Sequence, residues 1–288
     1  MRAIITILAT PAWLPWLTLI LVAAGAVAAA GWIRHRRRAR RRHLRSQPLP
    51  DAWHPILKRN VALYRRLPDE FRQRLHGYVN EFVGSVNLEG AGGLEMDDEI
   101  RVTIAGQACM LLLGRKAPCY PRLVSVVVYP GAYVGRKYRE VGGRPVEGEA
   151  VHLGESWGVG TVVLAWDHVR RGARDPRDGE NVVLHEFAHQ LDTEDGQADG
   201  APVLDSAGAY VGWSRVLAAA FEDLQRRLDE DSQTVLDGYG ATNPAEFFAV
   251  ATEAFFERPR KLREHRPELY GVLQDYFRMD PGSWKRVS

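Results

Sequence analysis

Cysteine is nearly absent from this chain: 288 residues contain only Cys109 and Cys119, and neither stands at a metal-type spacing. A disulfide framework and a cysteine-built metal site are therefore excluded, and two ordinary thiols suit a reducing, cytosolic setting for the folded part. Internal repeats are also lacking. Charge is missing altogether from Ala3 to Ile33, and the first 46 residues hold no acid. As a helix, Ala12 to Ile33 would extend about 33 Å, enough to cross a bilayer. Ahead of this stretch only Arg2 is positive, which disfavours a cleaved signal peptide, whose charge precedes its apolar run.

The segment immediately after the apolar run is as telling as the run itself. Arg34 to Arg45 reads RHRRRARRRHLR, eight arginines in twelve residues. Such a block stops transfer and stays in the cytoplasm, placing the short N-terminus outside and the rest of the chain inside. Trp13 and Trp16 at one end and Trp32 at the other suit interfacial belts, and Pro15 sits where a first helical turn tolerates it. Nucleic-acid binding is the competing reading of the arginines. Their place beside the apolar run favours anionic lipid head groups. The formal charge of +2 conceals an asymmetry, because beyond residue 46 there are 29 basic and 36 acidic side chains, a net charge of −7. That part would be repelled by phosphate backbones, so no nucleic-acid partner is expected. The organisation read from these features is a transmembrane anchor at 1–33, a polybasic juxtamembrane linker at 34–50 and a folded domain at 51–288.

The chemistry is carried by NVVLHEFAHQLD, with His185-Glu186-Phe187-Ala188-His189 at its centre. On a helix, side chains four apart share a face, so the two imidazoles can clasp one Zn²⁺. Glu186 lies beside that ion without ligating it, where a carboxylate can take a proton from a zinc-bound water as the water attacks a peptide carbonyl. The Asp178–Asn181 stretch supplies caps, and Val182, Val183, Leu184, Phe187, Ala188 and Leu191 make the helix apolar. Two histidines and a glutamate in such a setting need a partner, and a metal is a good one.

A third ligand is required. Asp192 and Asp195 stand where the metzincin pattern has glycine and histidine, which argues against that class, although Asp195 remains a carboxylate at a usable spacing. Tyr239 to Phe248 reads as a loop, an N-cap at Asn243, Pro244 at the first helical position, and a buried helix with Glu246 in its first turn. Glu246 is the expected third ligand. Glu253, seven residues on, faces the same way two turns later and is either a partner of a ligand histidine or part of a core salt bridge. Asp192 either orients an imidazole or caps the helix end.

HEFAHQLD and the later YGATNPAEFFAVATEAFF together resemble the Mlc titration factor A family of zinc peptidases, and more distantly the catalytic domain of anthrax lethal factor. The resemblance covers roughly Leu49 to Pro281. It implies an α+β, zincin-like metallopeptidase domain with a small mixed or antiparallel sheet and several helices. It also implies one Zn²⁺ held by His185, His189 and Glu246, Glu186 as general base, and Tyr239 as a catalytic hydroxyl; the alternative for Tyr239 is a packed loop residue. Lethal factor has a second acid four residues after its ligand glutamate, where this chain has Val250. The family implies aminopeptidase activity on peptide or protein substrates. Its namesake sequesters a sugar-responsive transcriptional repressor, so capture of such a partner is the alternative function. Together these readings place a single-pass protein in the inner, cytoplasmic membrane with its catalytic domain in the cytoplasm.

Hydrophobic periodicity predicts helices over Ile56–Leu67, Asp69–Val83, Asn181–Asp192, Tyr210–Leu228, Pro244–Arg258 and Pro267–Phe277; Asp97–Leu113 fits helix or strand by pattern, and its length and Ala105–Ala108 centre favour helix. Strands are predicted at Leu123–Tyr129, Gly148–Glu155 and Gly160–Trp166, the last as a candidate sheet edge for an extended substrate. His152 and His168 fall near the strands and are read as structural. His54, His76 and His265 are read as surface or packing residues, and the Asp195–Asp205 loop as solvated.

Overall fold

The computed structural model describes residues 14–285 apart from 116, 132, 142, 143, 153, 158 and 159. Two compact units emerge, Met1–Leu44 and Arg45–Ser288. The first is built on helix α1 (Leu14–Ser46), which runs without a break through the arginine block. From Leu19 it is long and apolar enough to cross a membrane by length and composition. Its apolar side chains, Leu19, Ile20, Leu21, Val22 and Val27 among them, are mostly exposed, as are Trp16 and Trp32.

The second unit is mainly helical. Its elements in order are α2 (Trp53–Asn60), α3 (Ala62–Arg66), α4 (Asp69–Ser85), β1 (Asn87–Gly90), α5 (Asp98–Ala108), β2 (Ser125–Tyr129), β3 (Tyr133–Val141), β4 (Arg144–His152), β5 (Gly154–Trp157) and β6 (Thr161–Ala165). Beyond β6 the described elements are helices: α6 (Trp166–Arg174), α7 (Val182–Asp192), α8 (Ala207–Asp229), α9 (Pro244–Glu257), α10 (Pro259–His265) and α11 (Pro267–Phe277), with short 3₁₀ turns between and after them.

The sheet has the order β1-β2-β6-β5. β1, β2 and β6 are parallel, with Ser125 opposite Asn87 and Thr161, and β5 joins β6 antiparallel. The sheet is therefore mixed and mostly parallel, against the antiparallel alternative. The β1–β2 pair is parallel because the chain crosses over through α5, and parallel strands cannot be joined by a tight turn. Val126, Val128, Val162 and Leu164 are fully buried on the two central strands, where β-branched and aliphatic side chains pack well. β3 and β4 form a separate two-stranded hairpin.

Two further expectations are corrected. Gly160–Trp166 is not a sheet edge, because β6 is paired on both sides; the edge next to it is β5, and α7 lies against β5. The helix expected over Ile56–Leu67 is broken at Val61, whose backbone is extended. The break has a tertiary cause. Asn60 is buried and turns its amide to Thr103 Oγ1 (2.9 Å) and Glu99 Oε1 (3.0 Å) on α5, and Gly106 lets that helix approach so closely that a Cβ there would lie 2.6 Å from Leu57.

α7 and α9 form the centre of the unit. Phe187 on α7 packs edge-on against Tyr120 at 4.8 Å and near Phe82 at 5.6 Å. α9 is buried from Phe247 through Glu257. A helix apolar all round belongs inside, and this one is enclosed by α7, α8, α10 and α11.

Candidate metal centre

Helix α7 starts at an Asn cap. Asn181 Oδ1 accepts from Leu184 N at 3.1 Å, which fixes the helix register, and one turn in, His185 and His189 project from the same face. Their rings lie 4.9 Å apart at 77°. α9 starts in the same way: Asn243 Oδ1 accepts from Glu246 N at 3.0 Å, with Pro244 at the first helical position, so Glu246 leaves the first turn toward the histidines.

The three side chains converge. Glu246 Oε2 lies 2.9 Å from His185 Nε2 and 3.3 Å from His189 Nε2, and the two imidazole nitrogens are 3.3 Å apart. Among the described residues this is the one His/Cys/Asp/Glu group whose ligand atoms come together closely enough to hold a metal ion. The spacing fits. Ligands on a tetrahedral Zn²⁺ with bonds of about 2.0–2.1 Å stand roughly 3.3 Å from one another. The donor set fits as well, since imidazole and carboxylate are the ligand types zinc takes in open, three-ligand sites.

The electrostatics describe a site made for a cation. Burial alone would push His185 down, but hydrogen bonds to Glu246 and Glu253 and the nearby charge of Glu186 lift it well above the ordinary imidazole range. Burial would raise Glu246, yet the hydrogen bonds from His185 and His189 outweigh it and hold the carboxyl far below its usual range. Positive charge is thus already favoured at the point where the three ligand atoms meet.

The other face of His185 is held by Glu253. Its Oε1 lies 2.8 Å from His185 Nδ1, and its Oε2 accepts from the backbone N–H of Asn181. A carboxylate behind a ligand imidazole sets the tautomer and ring orientation. Of the two readings open for Glu253, partner of the histidine is the one the geometry carries. Asn181 reaches further, donating its amide to Glu257 Oε1 (2.9 Å) and Gly172 O (3.2 Å). Burial pushes Glu257 well above the ordinary carboxyl range, the Asn181 bond opposes this and the charge of Glu253 adds to it, so the neutral form is favoured more than in a free glutamate. Glu257 and the linking role of Asn181 are not legible in the sequence. The one available signal is an acid one helical turn beyond Glu253.

Glu186 is buried on α7 between the histidines. Tyr239 sits on the 3₁₀ turn Gly238–Ala241, its N–H donating to Asp237 Oδ1 at 2.7 Å. Its hydroxyl is 3.5 Å from Glu246 Oε1 and its ring 6.0 Å from that of His185, so it borders the cluster and is half exposed.

The remaining candidates lie elsewhere. Asp192 ends α7 and accepts from Gly200 N at 3.0 Å, pinning the loop between α7 and α8. Gly200 has a φ of +77°, and a Cβ there would meet Pro244 O at 2.4 Å, so glycine alone permits this loop to close over the start of α9. Asp195 is exposed and accepts from Gln197 N at 2.9 Å; the structure does not bring it to the ligand group. His168 is on α6, 3.9 Å from Asp167. His152 falls on β4, and its side chain lies outside the described residues. His76 is 4.9 Å from His54 and 3.0 Å from Tyr64 OH, a packing role. His265 is exposed on α10.

The sequence has relatives across most of its length. It is 39% identical over 244 residues to an uncharacterised protein of Synechocystis, covering 84% of this chain and 89% of that one. It is 32% identical over 229 residues to Mlc titration factor A of Pectobacterium atrosepticum, covering 77% and 84%. To Mlc titration factor A of Cronobacter sakazakii it is 30% identical over 238 residues, covering 81% and 87%. A family profile described as glucose-regulated metallo-peptidase M90 matches residues 33–278. A match of that extent takes in both helices of the His–His–Glu cluster, and this chain belongs to the M90 metallopeptidase family.

Proposed function

We propose that the protein is a membrane-anchored zinc peptidase that hydrolyses peptide bonds, with His185, His189 and Glu246 as zinc ligands. The observation that carries the reading is the meeting of these three side chains within 3.3 Å of one another from two helices. When bound, zinc supplies a Lewis acid for the scissile carbonyl and makes water acidic enough to lose a proton near neutral pH. Glu186, buried beside the ligands, accepts that proton and later delivers it to the leaving amine. Glu253 keeps the His185 ring in place from behind. Tyr239, at the rim, donates its hydroxyl to the oxygen that gains charge during attack. The family resemblance makes an aminopeptidase the preferred form of the activity.

Metal analysis and peptide hydrolysis by the full-length chain in mild detergent test this. One zinc per chain, loss of hydrolysis on chelation and recovery with zinc are expected. Glu186→Gln should cut kcat by about a thousandfold while zinc stays bound. Full activity in verified metal-free protein would overturn the assignment.

The location proposed is the inner membrane, with α1 as the single span and residues 51–288 in the cytoplasm. The exposed apolar helix ahead of the arginine block supports this. The protein is expected to pellet with membranes, to resist extraction by alkaline carbonate and to be released by detergent. Recovery in the soluble fraction after lysis would refute the anchor.

The name Mlc titration factor A, borne by relatives, favours a second reading: capture of a transcriptional repressor, with hydrolysis secondary. Glu186→Gln separates the two, because a cellular effect that survives this substitution belongs to capture.

A further inference from the structure

We propose that a basic cavity between the end of α8 and α10 is a binding site for a small phosphate-class oxyanion. The cavity is about 320 Å³ and is lined by Arg227, Gln233, Arg258, Lys261, His265 and Arg266 among others. Four of these are permanent cations, and no carboxylate is among the described residues that line it.

The charges around it do not cancel. Asp223 is shared by three guanidiniums, those of Arg226, Arg227 (3.0 Å) and Arg266. One carboxylate among three arginines leaves positive charge over. Arg258 donates Nε to Arg177 O at 3.0 Å and Nη1 to Val235 O at 3.3 Å. Carbonyls hold that guanidinium in place without neutralising it, and with five N–H donors it is not exhausted by two bonds. Lys261 adds an exposed ammonium on the same wall. Like charges held together raise the energy of the folded state unless an anion or solvent screens them. A basic pocket also stands out on a unit that is acidic in sum, with a net charge of −7 beyond residue 46.

The chemistry of the lining selects the occupant. Guanidinium forks match the oxygen pairs of phosphate, an ammonium adds a point charge, and the Gln233 amide adds a neutral donor. The volume accommodates a phosphate and a small group attached to it, not a folded partner. An occupant would contact the same Arg258 that braces two loops, one leading into α7 and the other toward Tyr239. The proposal does not depend on the peptidase reading.

Calorimetric titration of the full-length chain in mild detergent with inorganic phosphate, and separately with pyrophosphate, tests it against potassium chloride at matched ionic strength. Saturable binding above the chloride control is expected, weakened about tenfold by Lys261→Glu and less by Lys261→Gln, with an unchanged melting curve showing that both variants fold. Heats no larger than the chloride control would overturn the proposal, as would equal affinity in Lys261→Glu. So would binding of a single-stranded oligonucleotide or of anionic-lipid vesicles by a chain that ignores phosphate, since the cavity would then be part of a polyanion surface.

Discussion

Asp192 shows how the sequence can leave two roles open for one side chain, orienting an imidazole or capping the end of α7. Three residues after His189, it invites a role on the imidazole, yet its Oδ2 holds Gly200 N and its Oδ1 is buried with no hydrogen-bond partner. Burial raises its carboxyl from 3.8 to about 6, against the pull of the Gly200 bond. Between those two values the folded chain keeps a proton that the unfolded chain has released, so stability from this group falls as pH rises and levels off above about 6. Asp192→Asn keeps an acceptor for Gly200 N and removes the ionisation. It is expected to stabilise the protein at pH 8 by about 2 kcal/mol, with the gain vanishing near pH 4. Melting curves of both proteins across that range check the sign; a gain that grows toward acid would contradict it.

At the level of elements, α9 joins two jobs. Its first turn offers Glu246, and its third and fourth turns bury Glu253 and Glu257 against Asn181. Because burial favours the neutral form of Glu257, an amide should replace it well. Glu257→Gln is expected to change stability by less than about 0.5 kcal/mol, whereas Glu257→Leu leaves one of the two Asn181 amide N–H groups without its acceptor and costs about 1–3 kcal/mol. Denaturant titration distinguishes these outcomes. The bounds of α7, α9 and α11 are legible in the sequence because their starts are written locally, as Asn181, as Asn243-Pro244 and as Pro267. The meeting of His185, His189 and Glu246 is legible because a four-residue helical spacing and a first-turn acid are also local. β1, the β3–β4 hairpin, α6 and α10 are not. Nor is the interior place of β6, since strand order depends on partners far away in sequence. The break at Val61 depends on Asn60 meeting α5, some forty residues on, and no pattern within the segment announces it.

Across the whole molecule, the ligands of the proposed centre come from remote parts of the chain: Glu246 is 61 residues from His185. An ion held by both would act as a cross-link, closing a long loop in any partly unfolded form and shifting the folding balance toward the native state. The expected consequence is thermal. Chelation should lower the melting temperature of the Glu186→Gln variant by as much as that of the wild-type chain, because the staple is independent of turnover. A variant whose melting is indifferent to chelator would show that the ion contributes nothing to holding α7 against α9. With the staple in place, zinc supply would govern how long this protein survives in the cell, and a chain starved of metal would be lost to proteolysis rather than stored as a dormant enzyme.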